Sequence, residues 1–390
     1  MARRRVFGMC NPILDVILKT DMKRLNDLGL NVGTTIVGKD DEVFKLISRI
    51  VANNEEINFV IGGSLLNSLR VCKDLSNKDK NCGLIPVFFS GGISDDSGGI
   101  LLQELLTEAE IDYKFHISDK PNLETGRCLV LVTNNERTLI TGLGSAKDYS
   151  VKTFDSNEIQ QALAESKIVA TSGYFIEVCF EAVLKAAKYC DSSRGVGPSC
   201  SFVLGLSAEF VPRKYIKELY QLFPMIDFMV GNEKEFLSLY KYLSTFIGKS
   251  HYGKTGLETT DELAKLVEQE EGLLDEFLKD IYSHLKPNCT ILCTRGPKPV
   301  ISLSYCDDGV KIKHHKCIYV PRERLVDFNG CGDAFLGGFI YGLSNSFPLD
   351  ASVYMGHFAA SNVSQNVGCS FDFSNKPTLE EIQCILREQE

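Results

Sequence analysis

Short apolar runs alternate with segments of helical periodicity along most of this 390-residue chain. The apolar runs have the length of buried strands, and a helical pattern separates each run from the next. They lie at residues 6–9, 85–89, 168–171, 203–206, 228–230 and 290–293. Alternation of this kind predicts an α/β fold in which a mostly parallel sheet is flanked by helices.

Two further stretches, residues 14–38 and 112–142, have the shorter pattern of β-hairpins. In the second, apolar strands flank Asn134-Asn135, a pair that favours a tight turn. No Pro-rich or Ser-rich linker divides the chain. We therefore predict one domain over residues 1–390, with a small β sheet from these two stretches that acts as a lid over a site at the strand ends.

The composition is that of an ordinary globular protein, with 44% hydrophobic and 24% charged residues. Its 14 cysteines form no Cys-x-x-Cys pair, and the sequence shows neither a signal peptide nor an apolar run of membrane-spanning length. These features predict free thiols and a cytoplasmic location, with nuclear presence left open.

A formal net charge of −9 argues against nucleic acid as a partner, because that binding depends on basic patches. The basic cluster at residues 3–5 is interpreted as a solvated tail. We expect a monomer that binds small molecules and neither nucleic acid nor a membrane.

The run Asp327-Phe328-Asn329-Gly330-Cys331-Gly332-Asp333 precedes an apolar segment of helical length. Glycines let the backbone approach a ligand closely, and the free amides at a helix start attract an anion. In the first helical turn, Asp333 would stay ionised and could take a proton from a hydroxyl. The alternative is an ordinary helix start, at which Asn329 or Asp333 caps the free amides.

A second candidate phosphate motif, residues 248–255, has the spacing of a P-loop. A P-loop requires a strand before it and a helix immediately after it. Here apolar residues at helical spacing continue to Ile247, and the next helix is predicted to begin at Thr259 or Thr260. We therefore interpret this segment as a polar loop between helices.

Several segments, in one order across nearly the whole chain, resemble the ribokinase family of carbohydrate and nucleoside kinases. The resemblance implies a ribokinase-like fold and Mg²⁺-dependent transfer of the γ-phosphate of ATP to the 5′-hydroxyl of adenosine, giving AMP and ADP. A different acceptor, or nucleoside binding without turnover, remains an alternative. The matching segments are Phe7–Asp15, Gly62-Gly63-Ser64 with Asn67, Gly231–Glu235, Asp327–Asp333 and Gly356–Ser361.

For catalysis, the resemblance implies that Asp333 deprotonates the ribose 5′-hydroxyl. The backbone amides of Gly330, Cys331 and Gly332 would form an anion hole for the charge on the transferring phosphoryl group. Phosphoryl transfer depends on alignment and charge stabilisation, which such a cradle supplies.

For the ribose, the matching positions are Asp15, Gly63 and Asn67, and Asn11 and Ser64 belong to the same turn region. A carboxylate and an amide can pair with the donors and acceptors of a vicinal diol. Taken without the resemblance, Asp15 reads as an ordinary residue at the end of a strand.

For the adenine ring, the matching positions are Val37, Leu143 and Phe175. An apolar and aromatic set suits a flat base. The alternative for these three residues is plain core packing.

On the nucleotide side, Asn232 and Glu235 match a motif for phosphate and Mg²⁺, with contact to the metal direct or through water. The alternative for Glu235 is a capping acid at a helix start. Thr294, Gly296 and Asn329 also match nucleotide positions.

Arg137 and His357 match the nucleotide side less specifically. Arg137 resembles a family arginine that reaches the phosphates when a lid closes, and its alternative is a surface hairpin charge. His357 is placed near the ATP base, with a structural histidine as the alternative. The chain departs from the family pattern at Leu65, Leu66, Gly205, Phe328 and Cys331.

Overall fold

The computed structural model describes residues 4–53, 56–79, 83–133, 136–193, 199–248, 259–270 and 272–388. The chain divides into two compact units. The first unit comprises Met1–Ala164 and Val320–Glu390, and the second comprises Glu165–Tyr319. None of the helices in the described ranges is long and apolar enough to cross a bilayer. The cysteines in these ranges are free thiols, as predicted.

Strands β1 to β8 belong to the first unit and β9 to β14 to the second. In chain order they are β1 (Arg5–Met9), β2 (Ile13–Lys19), β3 (Thr35–Val37), β4 (Asn58–Gly62), β5 (Val87–Ile93), β6 (Asp112–Ile117), β7 (Arg127–Thr133), β8 (Glu136–Gly142), β9 (Ser166–Ser172), β10 (Ser201–Gly205), β11 (Phe228–Asn232), β12 (Thr290–Arg295), β13 (Lys298–Cys306) and β14 (Gly309–His315).

Helices α1 to α6 and α12 to α14 belong to the first unit, and α7 to α11 belong to the second. In chain order they are α1 (Met22–Asp27), α2 (Asp40–Ala52), α3 (Ser64–Asn77), α4 (Ser97–Glu108), α5 (Val151–Phe154), α6 (Asn157–Ala164), α7 (Tyr174–Ser192), α8 (Phe210–Leu222), α9 (Glu233–Phe246), α10 (Thr260–Gln269), α11 (Leu273–Tyr282), α12 (Cys331–Ser344), α13 (Leu349–Val363) and α14 (Leu379–Glu388).

The first unit contains a small sheet with the strand order β3-β8-β7-β2-β4. Strands β7 and β8 are antiparallel, as the hairpin pattern predicts, and the turn at residues 134–135 lies outside the described residues. One face of this sheet is covered by α2, because Val43, Ile47 and Ile50 on that helix share a buried cluster with Val16 and Leu129 on the strands.

The boundary of the small sheet differs from the prediction. Residues 112–117 form β6, which pairs in parallel with β5, and β5 pairs in parallel with β1. Phe115 on β6 is buried and packs edge-on against Phe89 on β5, at 5.9 Å between ring centroids, which accounts for this pairing. On the small sheet, β4 instead pairs antiparallel with β2.

The second unit contains a sheet with the order β14-β13-β12-β11-β10-β9. Strands β9 to β12 are parallel, and β13 and β14 add an antiparallel edge. The prediction of an α/β fold with a mostly parallel sheet is confirmed.

The helices around the P-loop-like segment are also confirmed. Helix α9 runs to Phe246, and α10 begins at Thr260 after a capping box made by Thr259 and Glu262. Residues 249–255 of that segment lie outside the described residues.

Helix α12 lies against α3 and α13 in the first unit, and glycines on α12 permit the contact. A Cβ atom at Gly337 would collide with the backbone carbonyl of Ser68 on α3. At Gly338 it would collide with the backbone carbonyl of Met355 on α13. The two neighbouring backbones are therefore close to α12, and this proximity fixes the position of its first turn relative to α3.

We predict that Gly338→Ala lowers the free energy of unfolding by about 1–3 kcal/mol, the usual cost of overpacking a core. Alanine favours a helix by up to about 1 kcal/mol over glycine, so the loss would be a steric effect. Gly332→Ala is the matched control on the same helix, since a Cβ there meets nothing within 4 Å. Denaturant unfolding of both variants is the measurement, and equal midpoints would contradict the steric account.

Candidate active site

A glycine pair joins β4 to α3 and depends on the absence of side chains at two neighbouring positions. Gly63 has φ +103°, and a Cβ there would collide with the backbone carbonyl of Asn11. A Cβ at Gly62 would collide with the carboxylate of Asp15 on β2. This turn therefore brings Asn11, Asp15 and the first turn of α3 together, as the sequence predicts.

Asp333 lies in the first turn of α12 and contacts α3. The preceding Gly330 has φ +82° and provides no side-chain cap. Ser64 Oγ donates to Asp333 Oδ1 at 2.8 Å, and Asn67 Nδ2 donates to Asp333 Oδ2 at 3.1 Å. Because both carboxylate oxygens accept from α3, the alternative in which Asp333 caps its own helix is not supported.

The two carboxylates of this region titrate close to neutral pH. Burial raises the pKa of Asp333 to about 6, while the hydrogen bonds from Ser64 and Asn67 oppose the rise. Burial also raises the pKa of Asp15 to about 7, with Arg137 and Arg70 opposing it and the charge of Asp333 adding to it. Asp333 is thus mostly ionised at pH 7 and weakly basic, which suits a general base.

Three thiols lie near these carboxylates and stay neutral. Burial, followed by nearby carboxylate charge, raises the pKa of Cys331 to about 12. Burial is also the main cause that raises the pKa values of Cys10 and Cys369 to about 12. The thiols therefore add no charge to the site at neutral pH.

The amides predicted to form an anion hole are available to different degrees. The structure gives no hydrogen-bond partner to the amides of Gly330 and Gly332 among the residues that it describes, and Gly332 is exposed. The amide of Cys331 donates to the carbonyl of Phe328 at 3.2 Å. Two of the three predicted amides are therefore open in this conformation.

Asp327 shapes the loop that leads to α12, a role that the sequence analysis missed. Its buried carboxylate accepts from the amide of Asn329 at 2.8 Å and from the amide of Gly368 at 2.9 Å. Arg137 Nε lies 3.0 Å from the same carboxylate. An aspartate commonly accepts a hydrogen bond from the amide two residues later and so forms a turn. This turn signal could have revealed the role of Asp327.

Arg137 is only 8% exposed, so the alternative of a surface hairpin charge is not supported. The side chain of Asn329 is exposed on the loop that leads to α12.

The side chain of Asn11 donates from Nδ2 to the carbonyl of Ala146 at 3.1 Å. Its buried Oδ1 has no hydrogen-bond partner within the described part of the chain, which leaves an acceptor beside the glycine turn.

The residues predicted to hold the adenine ring differ in exposure. Val37, on β3, is 65% exposed, and Leu143 is half-buried beside the small sheet. Phe175, at the start of α7 in the second unit, is 0% exposed. Its burial favours the core-packing alternative.

His357 lies on α13 with only 7% of its surface exposed. Its ring packs edge-on against Phe335 on α12, at 5.5 Å between ring centroids. This packing matches the structural alternative.

In the second unit, the predicted nucleotide residues gather where two parallel strands end. Asn232 ends β11 and lies opposite Thr294 on β12, and Thr294 Oγ1 donates to the carbonyl of Gly231 at 3.3 Å. Asn232 and Glu235 form a capping box at the start of α9, with Asn232 Nδ2 donating to Glu235 Oε1 at 2.8 Å. Gly296 follows with φ +59°. The geometry thus shows the capping role of Glu235.

Comparison with known proteins places this geometry in a family. The model of the pfkB family carbohydrate kinases matches residues 34–376, which is most of the chain. The chain belongs to this family. The resemblance found in the sequence is thereby confirmed.

Adenosine kinases of several organisms are similar to this chain over nearly its whole length. It is 26% identical to adenosine kinase of Schizosaccharomyces pombe, over 90% of this chain and 92% of that protein. It is 27% identical to adenosine kinase 2 of Arabidopsis thaliana, over 94% of this chain and 95% of that protein. Anopheles gambiae adenosine kinase, solved with P1,P4-di(adenosine-5) tetraphosphate, superposes with a TM-score of 0.73 at 26% identity, covering 97% and 100% of the two chains.

The structure explains two of the departures from the family pattern and shows the surroundings of two others. Leu65 and Leu66 on α3 are 0% exposed, so these apolar residues belong to the core. The carbonyl of Gly205 accepts from the amide of Gly173 at 2.7 Å where β10 ends. Phe328 is 71% exposed on the loop before α12.

We predict that Ser64→Ala raises the pKa of Asp333 above about 6, because the carboxylate loses one of its two hydrogen-bond donors. A carboxyl ¹³C NMR titration measures this value, and the Asp333→Asn variant assigns the signal. Ser68→Ala is the matched control one helical turn later, since Ser68 Oγ donates to the carbonyl of Ser64 instead. The same shift in both variants would contradict the prediction.

Proposed function

We propose that this kinase transfers the γ-phosphate of ATP to the 5′-hydroxyl of adenosine, giving AMP and ADP in purine salvage. The observation that carries the proposal is the carboxylate of Asp333, held by Ser64 and Asn67 beside the Gly62-Gly63 turn. The similarity to curated adenosine kinases over at least 90% of the chain supports this acceptor.

The ribose is proposed to lie beside Asp15, Gly63 and Asn67. When ionised, the carboxylate of Asp15 accepts hydrogen bonds from two neighbouring hydroxyls. The free Oδ1 of Asn11 offers one more acceptor. Val37 and Leu143 remain the proposed contacts of the adenine ring.

The chemical step needs a base, an aligned nucleophile and donors for the phosphoryl charge. Asp333 takes the proton from the 5′-hydroxyl as that oxygen attacks the γ-phosphorus in line with the departing ADP. The open amides of Gly330 and Gly332 donate to the phosphoryl oxygens. The amide of Cys331 joins them once it leaves the carbonyl of Phe328.

ATP is the proposed donor, with Asn232, Thr294 and Gly296 on the nucleotide side. Asn329, Arg137 and His357 are further proposed positions, and Arg137 would have to leave Asp327 to reach a phosphate. The small sheet that carries Arg137 is proposed to act as a lid.

Mg²⁺ fits this site as an ion held mainly by phosphates and water. The structure shows no group of three or more acidic, histidine or cysteine side chains that could hold a metal among the residues that it describes. Glu235 and Asn232 supply oxygens, and Mg²⁺ in kinases keeps several waters and takes only one or two carboxylates. The carboxylate of Glu235 already accepts from Asn232, which favours contact through water. When bound, Mg²⁺ neutralises phosphate charge.

We predict that Asp333→Asn lowers kcat for adenosine by about 10²-fold or more, because the amide cannot accept the proton. ADP release in the presence of ATP, Mg²⁺ and adenosine is the measurement. Asp112→Asn is the control, since that exposed carboxylate pairs with Arg5 away from Asp333. Full activity of Asp333→Asn would exclude it as the base.

The same assay separates the alternative acceptors. Values of kcat/KM for adenosine, inosine, ribose and fructose 6-phosphate should rank adenosine first. A higher value for another acceptor would overturn the proposed substrate. Adenosine binding without ADP production from any of them would indicate a binding protein.

A further inference from the structure

Arg70 lies on α3, one helical turn after Asn67, and its guanidinium makes two hydrogen bonds from one nitrogen. Nη1 donates to the carbonyl of Ile61 at 3.0 Å and to Asn67 Oδ1 at 3.2 Å. The guanidinium also lies over the ring of Phe371, 5.5 Å from its centroid. Arg70 thus connects the end of β4, just before the glycine pair, to the side chain that contacts Asp333.

This contact determines which end of the Asn67 amide faces the base. A guanidinium has only donors, so the amide oxygen must face Arg70. The amide nitrogen then faces Asp333 and donates to Oδ2 at 3.1 Å. A rotation of the amide by half a turn would put a donor against Arg70 and an acceptor against the carboxylate, and both contacts would be unfavourable.

Other charged and titratable groups lie near Asp333. Two carboxylates, Asp15 and Asp333, lie close enough that the charge of one raises the pKa of the other. The cations that oppose this for Asp15 are Arg137 on β8 and Arg70 on α3. Within the described part of the chain, the neutral thiols of Cys10, Cys331 and Cys369 also lie near Asp333.

We infer that Arg70 is a positioning residue for phosphoryl transfer, which acts on Asp333 through Asn67. This inference rests on the proposed function. Neither the sequence motifs nor the family resemblance singles out this side chain. The signal that could have found it is its spacing of three from Asn67, which puts both side chains on one face of α3.

The test compares Arg70→Met and Arg70→Lys with wild type in the pH dependence of kcat for adenosine. In Arg70→Met the Asn67 amide is released, so the acid limb of kcat should move to higher pH by about one unit. At a pH one unit below the midpoint of the wild-type acid limb, this shift lowers kcat about tenfold relative to wild type. Arg70→Lys keeps the charge and should recover part of the shift.

Arg5→Met is the matched control, because Arg5 also lies over a phenylalanine ring, at 5.4 Å from the centroid of Phe88, and pairs with Asp112. Its acid limb should coincide with that of wild type. If Arg70 only supports packing, Arg70→Met would lower the plateau and the melting temperature and leave the acid limb in place. That result in the folded Arg70→Met variant would overturn the inference.

The proposed function and this inference fail in different ways. Wild-type protein that makes no ADP with adenosine would refute the function alone. A carboxyl ¹³C NMR titration of Asp333 would then still test Arg70, since Arg70→Met should raise that pKa without any substrate. An unchanged pKa of Asp333 in Arg70→Met would overturn the inference whatever the activity.

Discussion

The close approach of α12 to α3 is the constraint on which the proposed site depends. Gly337 allows the backbone of α12 to reach the carbonyl of Ser68, so the first turns of both helices lie side by side. This contact brings Asp333 within hydrogen-bond distance of Ser64 and Asn67, although 269 and 266 positions separate them in sequence. The proposed base is therefore held by tertiary packing as well as by its own loop.

Burial of charge is the second determinant. Burial raises the pKa values of Asp15 and Asp333 to about 7 and about 6. The neighbouring thiols remain neutral, and the arginines on α3 and β8 limit the rise for Asp15. The pKa values of both carboxylates are therefore close to neutral pH, where a weak base can accept a proton and release it again.

Local signals were enough to predict many elements and the residues at their ends. Glycine pairs identified the turn before α3 and the start of α12, and helical spacing placed α9 and α10 around the P-loop-like segment. The partners across elements were not predictable in this way. Sequence periodicity does not show that β6 pairs with β5 or that Phe175 is fully buried. Those outcomes depend on packing between segments that are distant in the chain.

Asp333 is proposed to be the base and to be held for catalysis by Ser64, and a double-mutant cycle tests this proposal most directly. The measurement is the single-turnover rate of ADP formation with adenosine for wild type, Ser64→Ala, Asp333→Asn and the double variant. We expect Ser64→Ala to slow wild type by about tenfold but to slow Asp333→Asn by less than about twofold, because groups that share one interaction are not additive. Equal effects of Ser64→Ala in both backgrounds would contradict the account.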